Sequence, residues 1–164
     1  MSEAQHLADT LIAMFAWSNH GILAPFTTAV SGLTARRAAA EPGYGLHSMW
    51  ALVNHVRFWH EVTLLQLRCL PVDLAALGAE DGWPPPDDPP TEEAWQAAVA
   101  NTIALNEQVT GLIETLTDES LAEPVVAGQV TRRQVVQSLI AHNCYHTGSI
   151  IDARRVLGLW PGHA

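Results

Sequence analysis

Leu139 to Ile151 reads LIAHNCYHTGSII, and its two histidines, His142 and His146, stand four residues apart inside a long apolar run. On a helix, positions i and i+4 share a face one turn apart, so both imidazoles can point at one object. Val135, Leu139, Ser149 and Ile150 flank them on that face, which turns the pair inward, toward a core. Two buried imidazoles side by side need polar partners, because an unsatisfied buried polar group is costly. A metal ion serves two converging neutral imidazoles most directly. The same spacing also arises by chance among core or surface histidines, and the chain holds 8 of them, so a third ligand from elsewhere has to decide.

The 164 residues fit one domain spanning the chain, with 48% hydrophobic and only 15% charged residues, the profile of a packed globule. The net charge is -9, and every basic residue is Arg, with no Lys anywhere. That excludes Schiff-base chemistry through a protein lysine. It also argues against a nucleic-acid partner, since no basic stripe exists to neutralise phosphates. The adjacent pairs Arg36-Arg37, Arg132-Arg133 and Arg154-Arg155 read as solvated helix ends or loops. Cys69 and Cys144 are the only cysteines, too few for a disulfide framework. Cys144 lies two residues from each histidine, which turns it to the far side of the helix and removes it as a ligand. No charged and apolar leader opens the chain and no apolar run reaches about 18 residues, so no membrane partner is expected and the cytoplasm is the expected compartment.

Helical spacing of apolar residues predicts four long helices and no strand. The first covers about Glu3 to Leu33 as one helix kinked near Gly21 and Pro25, or as two in series. Thr34 to Gly45, with Pro42-Gly43, reads as a connection. The second helix starts at the cap residue Ser48 and stops at Leu70, before Pro71. Pro71 to Pro90, which includes Gly82-Trp83-Pro84-Pro85-Pro86, favours extended, polyproline-like backbone. A connection of that length can carry the chain back along a bundle, so helices two and three are expected to run parallel. The third helix begins at Thr91, with Glu92 and Glu93 in its first turn. It is followed by a polar connection, Thr117 to Gly128. The fourth begins with the Thr131 to Gln134 capping box and ends at Gly158.

Among the remaining histidines, His55 stands out. Its stripe on helix two is Leu52, His55, Trp59 and Val62, an apolar face that should look inward. His60, five residues on and beside Glu61, is about 140° further round the helix and is expected at the rim or surface. His6 and His20 have no polar partner at ligand spacing and are expected to be satisfied or exposed. His47 and His163 fall at or beyond helix ends.

The run Ser48-Met49-Trp50-Ala51-Leu52-Val53-Asn54-His55, followed by His142-x-x-x-His146-x-Gly148-x-Ile150, resembles the DinB/YfiT-like superfamily of metalloenzymes. Gly128-Gln129-Val130-Thr131 and Gly82-Trp83-Pro84 are similar as well, and the resemblance runs from the first helix to Leu157. The chain departs from the family pattern at Gly148 and Ser149, which concerns the surroundings of the ligands rather than the ligand set. The resemblance implies an all-α, four-helix bundle in up-down-down-up order. It implies a divalent metal, zinc or nickel, held by His55, His142 and His146 near one end of the bundle. Homodimers are common in the family, which makes a homodimer a further expectation.

A small-molecule substrate is expected, and three functions compete. The family suggests a metal-dependent transferase using a low-molecular-weight thiol such as bacillithiol, mycothiol or glutathione. A metal-dependent hydrolase is the second reading; the helix-four motif is not HExxH and supplies no general-base glutamate. The third is a non-enzymatic, stress-related module braced by a structural ion. Tyr145, His60, Asn54 and Trp83 are candidates to border the site, with packing or rim positions the simpler reading of each.

Overall fold

Each long helix starts where a hydroxyl side chain satisfies the free amides of a first turn. Ser2 Oγ accepts from Gln5 N, Ser48 Oγ from Ala51 N and Thr91 Oγ1 from Ala94 N. Thr131 and Gln134 form the full reciprocal box, with Gln134 Oε1 2.9 Å from Thr131 N. The computed structural model describes residues 1–16, 24–72, 82–83, 91–126 and 130–160. Among these are α1 (Glu3–Phe15), α2 (Phe26–Val30), α3 (Ala35–Ala38), α4 (Met49–Leu67), α5 (Glu92–Glu114), α6 (Asp118–Leu121) and α7 (Arg132–Val156), with strands β1 (Pro124–Val126) and β2 (Val130–Thr131). The protein is predominantly helical.

Several boundaries differ from the sequence reading. The first apolar run is not one helix: α1 ends at Phe15, α2 starts after Pro25, and the connection that follows holds α3, capped by Thr34. Gly21 and His20 lie outside the described residues, as does most of the Pro71–Pro90 stretch. Helix α4 ends at Leu67, before Leu70, because Cys69 turns left-handed (φ 54°) and Leu70 N donates back to Leu65 O. Gly158 (φ 68°) ends α7 in the same way, with Leu159 N bonded to Arg154 O; only there is the residue one that takes this backbone without strain. The expected absence of strands is corrected by the antiparallel pair β1–β2, with Pro124 opposite Thr131. Strands of three and two residues are too short to show alternation.

Helix α4 packs against α5 and α7, and α1 packs against the same two. The apolar side chains form two clusters. One gathers Phe15, Phe26, Met49, Val53, Val56, Trp95 and Ile150. The other gathers Ala4, Leu11, Leu64, Leu67, Val109, Ile113, Val136 and Leu139. Between them, each of α4, α5 and α7 carries buried polar residues: His60 and Thr63, Thr102 and Asn106, Asn143, His146 and Thr147. Ion pairs and hydrogen bonds tie the element ends. Arg133 forks onto both Glu3 carboxylate oxygens at 2.6 and 2.7 Å, Asp118 Oδ1 accepts from Glu3 N, and Arg132 Nε donates to Leu67 O.

Two solvated positions of the sequence reading are in fact interior. His60 is fully buried: Val56 O accepts from its Nδ1 at 2.8 Å, and its Nε2 lies 3.3 Å from both Asn106 Oδ1 and Asn143 Nδ2. Arg154 is 7% exposed and donates to backbone carbonyls of Thr28, Ala29, Ser31 and Leu159.

Candidate metal centre

His142 and His146 are the eleventh and fifteenth residues of α7, one turn apart, with ring centroids 4.3 Å from each other. The cluster therefore stands at mid-helix. His55 reaches it from α4: its ring centroid is 4.5 Å from His146 and 5.0 Å from His142. One ring nitrogen from each of the three can be chosen so that all lie within 4.8 Å of one another. The Nε2 atoms of His55 and His142 are 3.1 Å apart. His55 and His146 are buried, and His142 is half-buried.

The surroundings hold these rings in place. His55 Nδ1 lies 2.8 Å from Gly82 O. A carbonyl can only accept, so Nδ1 carries the proton and Nε2 presents its lone pair to the cluster. Trp83 stacks on His55 with centroids 3.8 Å apart and planes 10° apart, and His47 stacks on the other face of Trp83 at 3.8 Å. Trp59 stands edge-on to both His55 and His142. Tyr145, exposed, borders His146 at 4.9 Å.

Among the residues that the sequence suggested as a border, Trp83 and Tyr145 are there. Asn54 instead donates to Trp50 O on its own helix, and His60 is in the core. Cys144 points away, into a small cavity with Met14 and Thr147, where burial pushes its thiol pKa up. His6 is exposed. Sequence reasoning missed the roles of Gly82 and His47. The structure supplies the reason for the glycine: a side chain at Gly82 would put its Cβ 3.1 Å from Trp59 Nε1 and 3.4 Å from His55 Nδ1, and a close backbone approach is a common reason for glycine.

All three imidazoles are neutral at physiological pH. Burial pushes His142 down to about 3, reinforced by the neighbouring His146 and His55. Burial pushes His146 down to about 4, reinforced by His55 and His47. Burial also lowers His55, against the opposing hydrogen bond to Gly82. Neutral imidazole is the ligating form.

The arrangement fits a divalent ion. Two imidazole nitrogens each about 2.0–2.1 Å from one ion stand roughly 3 Å apart at ordinary coordination angles, matching the His55–His142 separation of 3.1 Å. Buried Nδ1 atoms of His142 and His146 have no hydrogen-bond partner among the described residues, so the described donors and acceptors do not satisfy the cluster. Among the described residues the donor set is three neutral nitrogens with no carboxylate.

The family model of the DinB superfamily matches residues 23–150. The chain belongs to the DinB superfamily. No curated protein and no solved structure matches it. In this DinB-superfamily chain, a pocket of about 330 Å³ opens beside the cluster, lined by Trp59, Thr63, Gln66, Val130, Val135, Ser138, Leu139 and His142. Among the described residues, no helix is long and apolar enough to cross a membrane.

Proposed function

We propose that this protein is a metal-dependent transferase that joins a low-molecular-weight thiol to an electrophile, with His55, His142 and His146 holding zinc or nickel. Zinc is the first choice on ligand type. The observation that carries the reading is the convergence of three neutral ring nitrogens, with the His55 tautomer fixed by Gly82 O. Bound there, a divalent ion would supply positive charge that no carboxylate among the described residues offsets, which favours the thiolate form of an incoming thiol.

The chain's own residues do the rest. Gly82 O keeps the proton of His55 on Nδ1. Trp83, clamped between His47 and His55, and Trp59 shield one side of the cluster from water. The opening beside His142 leaves room for a second reactant. Hydrolysis ranks lower because, among the described residues, the cluster supplies no carboxylate as general base.

The proposal includes an up-down-down-up bundle of α1, α4, α5 and α7. Supporting it, the first residues of α1 and α7 are joined by Glu3 and Arg133, the start of α1 bonds Asp118 just after α5, and the start of α7 bonds Leu67 at the end of α4. The two apolar clusters are met in one order along α4 and α5 and in the reverse order along α1 and α7.

The test is conjugation of monochlorobimane by the metal-loaded protein with bacillithiol, mycothiol or glutathione in turn. The sulfur–carbon bond forms, chloride leaves with its electron pair, and the thiol proton passes to solvent. Acceleration that is lost in His146→Ala is expected. No acceleration with any thiol, together with metal-dependent ester or amide cleavage, would replace the reading with a hydrolase. A protein inactive in both assays that melts lower without metal would replace it with a structural ion.

A further inference from the structure

We infer that the pocket between α4 and α7 is the binding site for the electrophile, and that it selects an uncharged, largely apolar molecule. The inference rests on the thiol-transfer reading only for naming the occupant's role. The walls are the ring of Trp59 and the side chains of Val135 and Leu139, and the polar groups among them are the hydroxyls of Thr63 and Ser138 and the amide of Gln66. Among the described residues no Asp, Glu or Arg lines it, and the chain contains no Lys. In the metal-free protein a carboxylate or phosphate entering here would lose its hydration with no counter-charge among the described lining residues, a large cost. An apolar ring or chain loses nothing by entering. Hydroxyl and amide groups can still orient one carbonyl or nitro oxygen, the usual pattern of an apolar site with a few polar fixings.

The thiols themselves are poor occupants. Their cysteinyl sulfur hangs from groups rich in charge or hydroxyls, which this wall leaves unpaired. His142 is part of the pocket lining, and its Nε2 is 3.1 Å from His55 Nε2. An occupant is therefore held directly against the histidine cluster. Ser138 lies on the exposed side of α7, at the mouth, so a large side chain there blocks the pocket without disturbing the core.

The experiment measures binding, not turnover. Saturation-transfer NMR and titration follow nitrobenzene and 4-nitrobenzoate, which share a ring and differ by a carboxylate, against the full metal-free chain, so that no ion at the histidines draws the carboxylate. Nitrobenzene is expected to bind at least about tenfold more tightly than 4-nitrobenzoate. Zinc should not be required. Ser138→Trp is expected to abolish the binding at unchanged melting temperature and metal content, and Gln66→Leu is expected to keep nitrobenzene bound. Equal binding of the two probes, tighter binding of the carboxylate, or binding untouched by Ser138→Trp overturns the inference. If nitrobenzene binds as expected but no thiol is conjugated, the pocket stands and the transferase reading falls. If conjugation proceeds and Ser138→Trp leaves its KM for monochlorobimane unchanged, the pocket assignment falls and the transferase reading stands.

Discussion

His55 Nδ1 stands 2.8 Å from the carbonyl oxygen of Gly82, so a backbone atom from the Pro-rich connection fixes the proton of a candidate metal ligand on α4. Bonds of this kind set the tautomer of ligating histidines, and disturbing them typically costs about 10- to 100-fold in metal affinity. A Cβ at position 82 would sit 3.1 Å from Trp59 Nε1 and 3.4 Å from His55 Nδ1, so Gly82→Ala needs the Trp59 ring or the Gly82 backbone to give by a few tenths of an ångström, and the carbonyl on His55 is expected to be disturbed with it. Zinc affinity of Gly82→Ala, measured by competition with a chromogenic chelator, is expected to drop within that range while the circular dichroism stays helical. Unchanged affinity would show that the Gly82 bond does not orient the ligand.

Removal of a ligand has a different signature. His55→Ala, His142→Ala and His146→Ala each delete one of the three converging nitrogens, and each is expected to reduce metal content well below one equivalent per chain by elemental analysis. The helices should survive, because both apolar clusters lie outside these side chains. Chelating the wild type should lower its melting temperature, since a ligand present at 1,000 times its Kd adds about 4 kcal/mol to stability. Full metal content in His55→Ala would mean that the third ligand has been misassigned.

The metal-free protein should lose stability as the pH falls. Unfolded, a histidine titrates near 6.5, whereas folded His142 is held down to about 3 and His146 to about 4. Between those values the unfolded chain binds protons that the folded chain does not, so stability rises with pH across the window. The contribution is intact above 6.5, declines as the pH drops, and stops declining below the folded values. The urea midpoint of metal-free protein is expected to be lower at about pH 5 than at about pH 7.5. The double variant His142→Gln, His146→Gln should reduce that difference without removing it, because burial lowers His60 in the same direction. A midpoint independent of pH would contradict the desolvation of these rings.

His60 shows where helical periodicity stops being a guide. The wheel reads α4 as a helix with one buried stripe. In the structure α4 meets α5 on one side and α7 on another, and Val53, Val56, His60 and Leu64 are buried along with Leu52 and His55. A helix enclosed on several sides has no clear outer face, and the residue about 140° from His55 is inside too. The caps at Ser48, Thr91 and Thr131 were legible because capping is local chemistry. The i,i+4 pair in α7 was legible because a turn is a fixed distance. Gly82 and His47 were not, because their contacts with His55 and Trp83 join segments whose meeting depends on the tertiary path. His60→Ala is expected to destabilise the protein by about 3–5 kcal/mol in urea unfolding, because it opens a core cavity and leaves the Asn106 and Asn143 amides without their partner. Metal content should remain near that of the wild type. A loss under about 1 kcal/mol would show that the polar layer relaxes around the deletion.

Arg154 makes the last test, and it separates the architecture from the site. Among the described residues its guanidinium has no carboxylate partner and instead donates to the carbonyls of Thr28, Ala29, Ser31 and Leu159, while the Trp160 ring lies 4.9 Å from it. The first three carbonyls belong to the last turn and end of α2, where helix carbonyls lack partners and carry partial negative charge. One side chain of α7 thus closes α2 and holds the chain beyond Gly158 against it. Burial lowers its pKa, but an Arg remains charged at neutral pH. A lysine has the charge without the planar fork, and its single ammonium cannot serve two separate backbone segments at once. Arg154→Lys is therefore expected to lose about 2–3 kcal/mol of unfolding free energy, and Arg154→Ala more, chiefly from the Ala29 carbonyl left buried without its donor. Position 154 lies two turns beyond His146 in α7, so zinc stoichiometry and affinity should be those of the wild type. A Lys variant as stable as the wild type would show that water satisfies those carbonyls unaided, and a variant that loses metal in step with stability would show that the α2 closure and the histidine cluster are one cooperative unit.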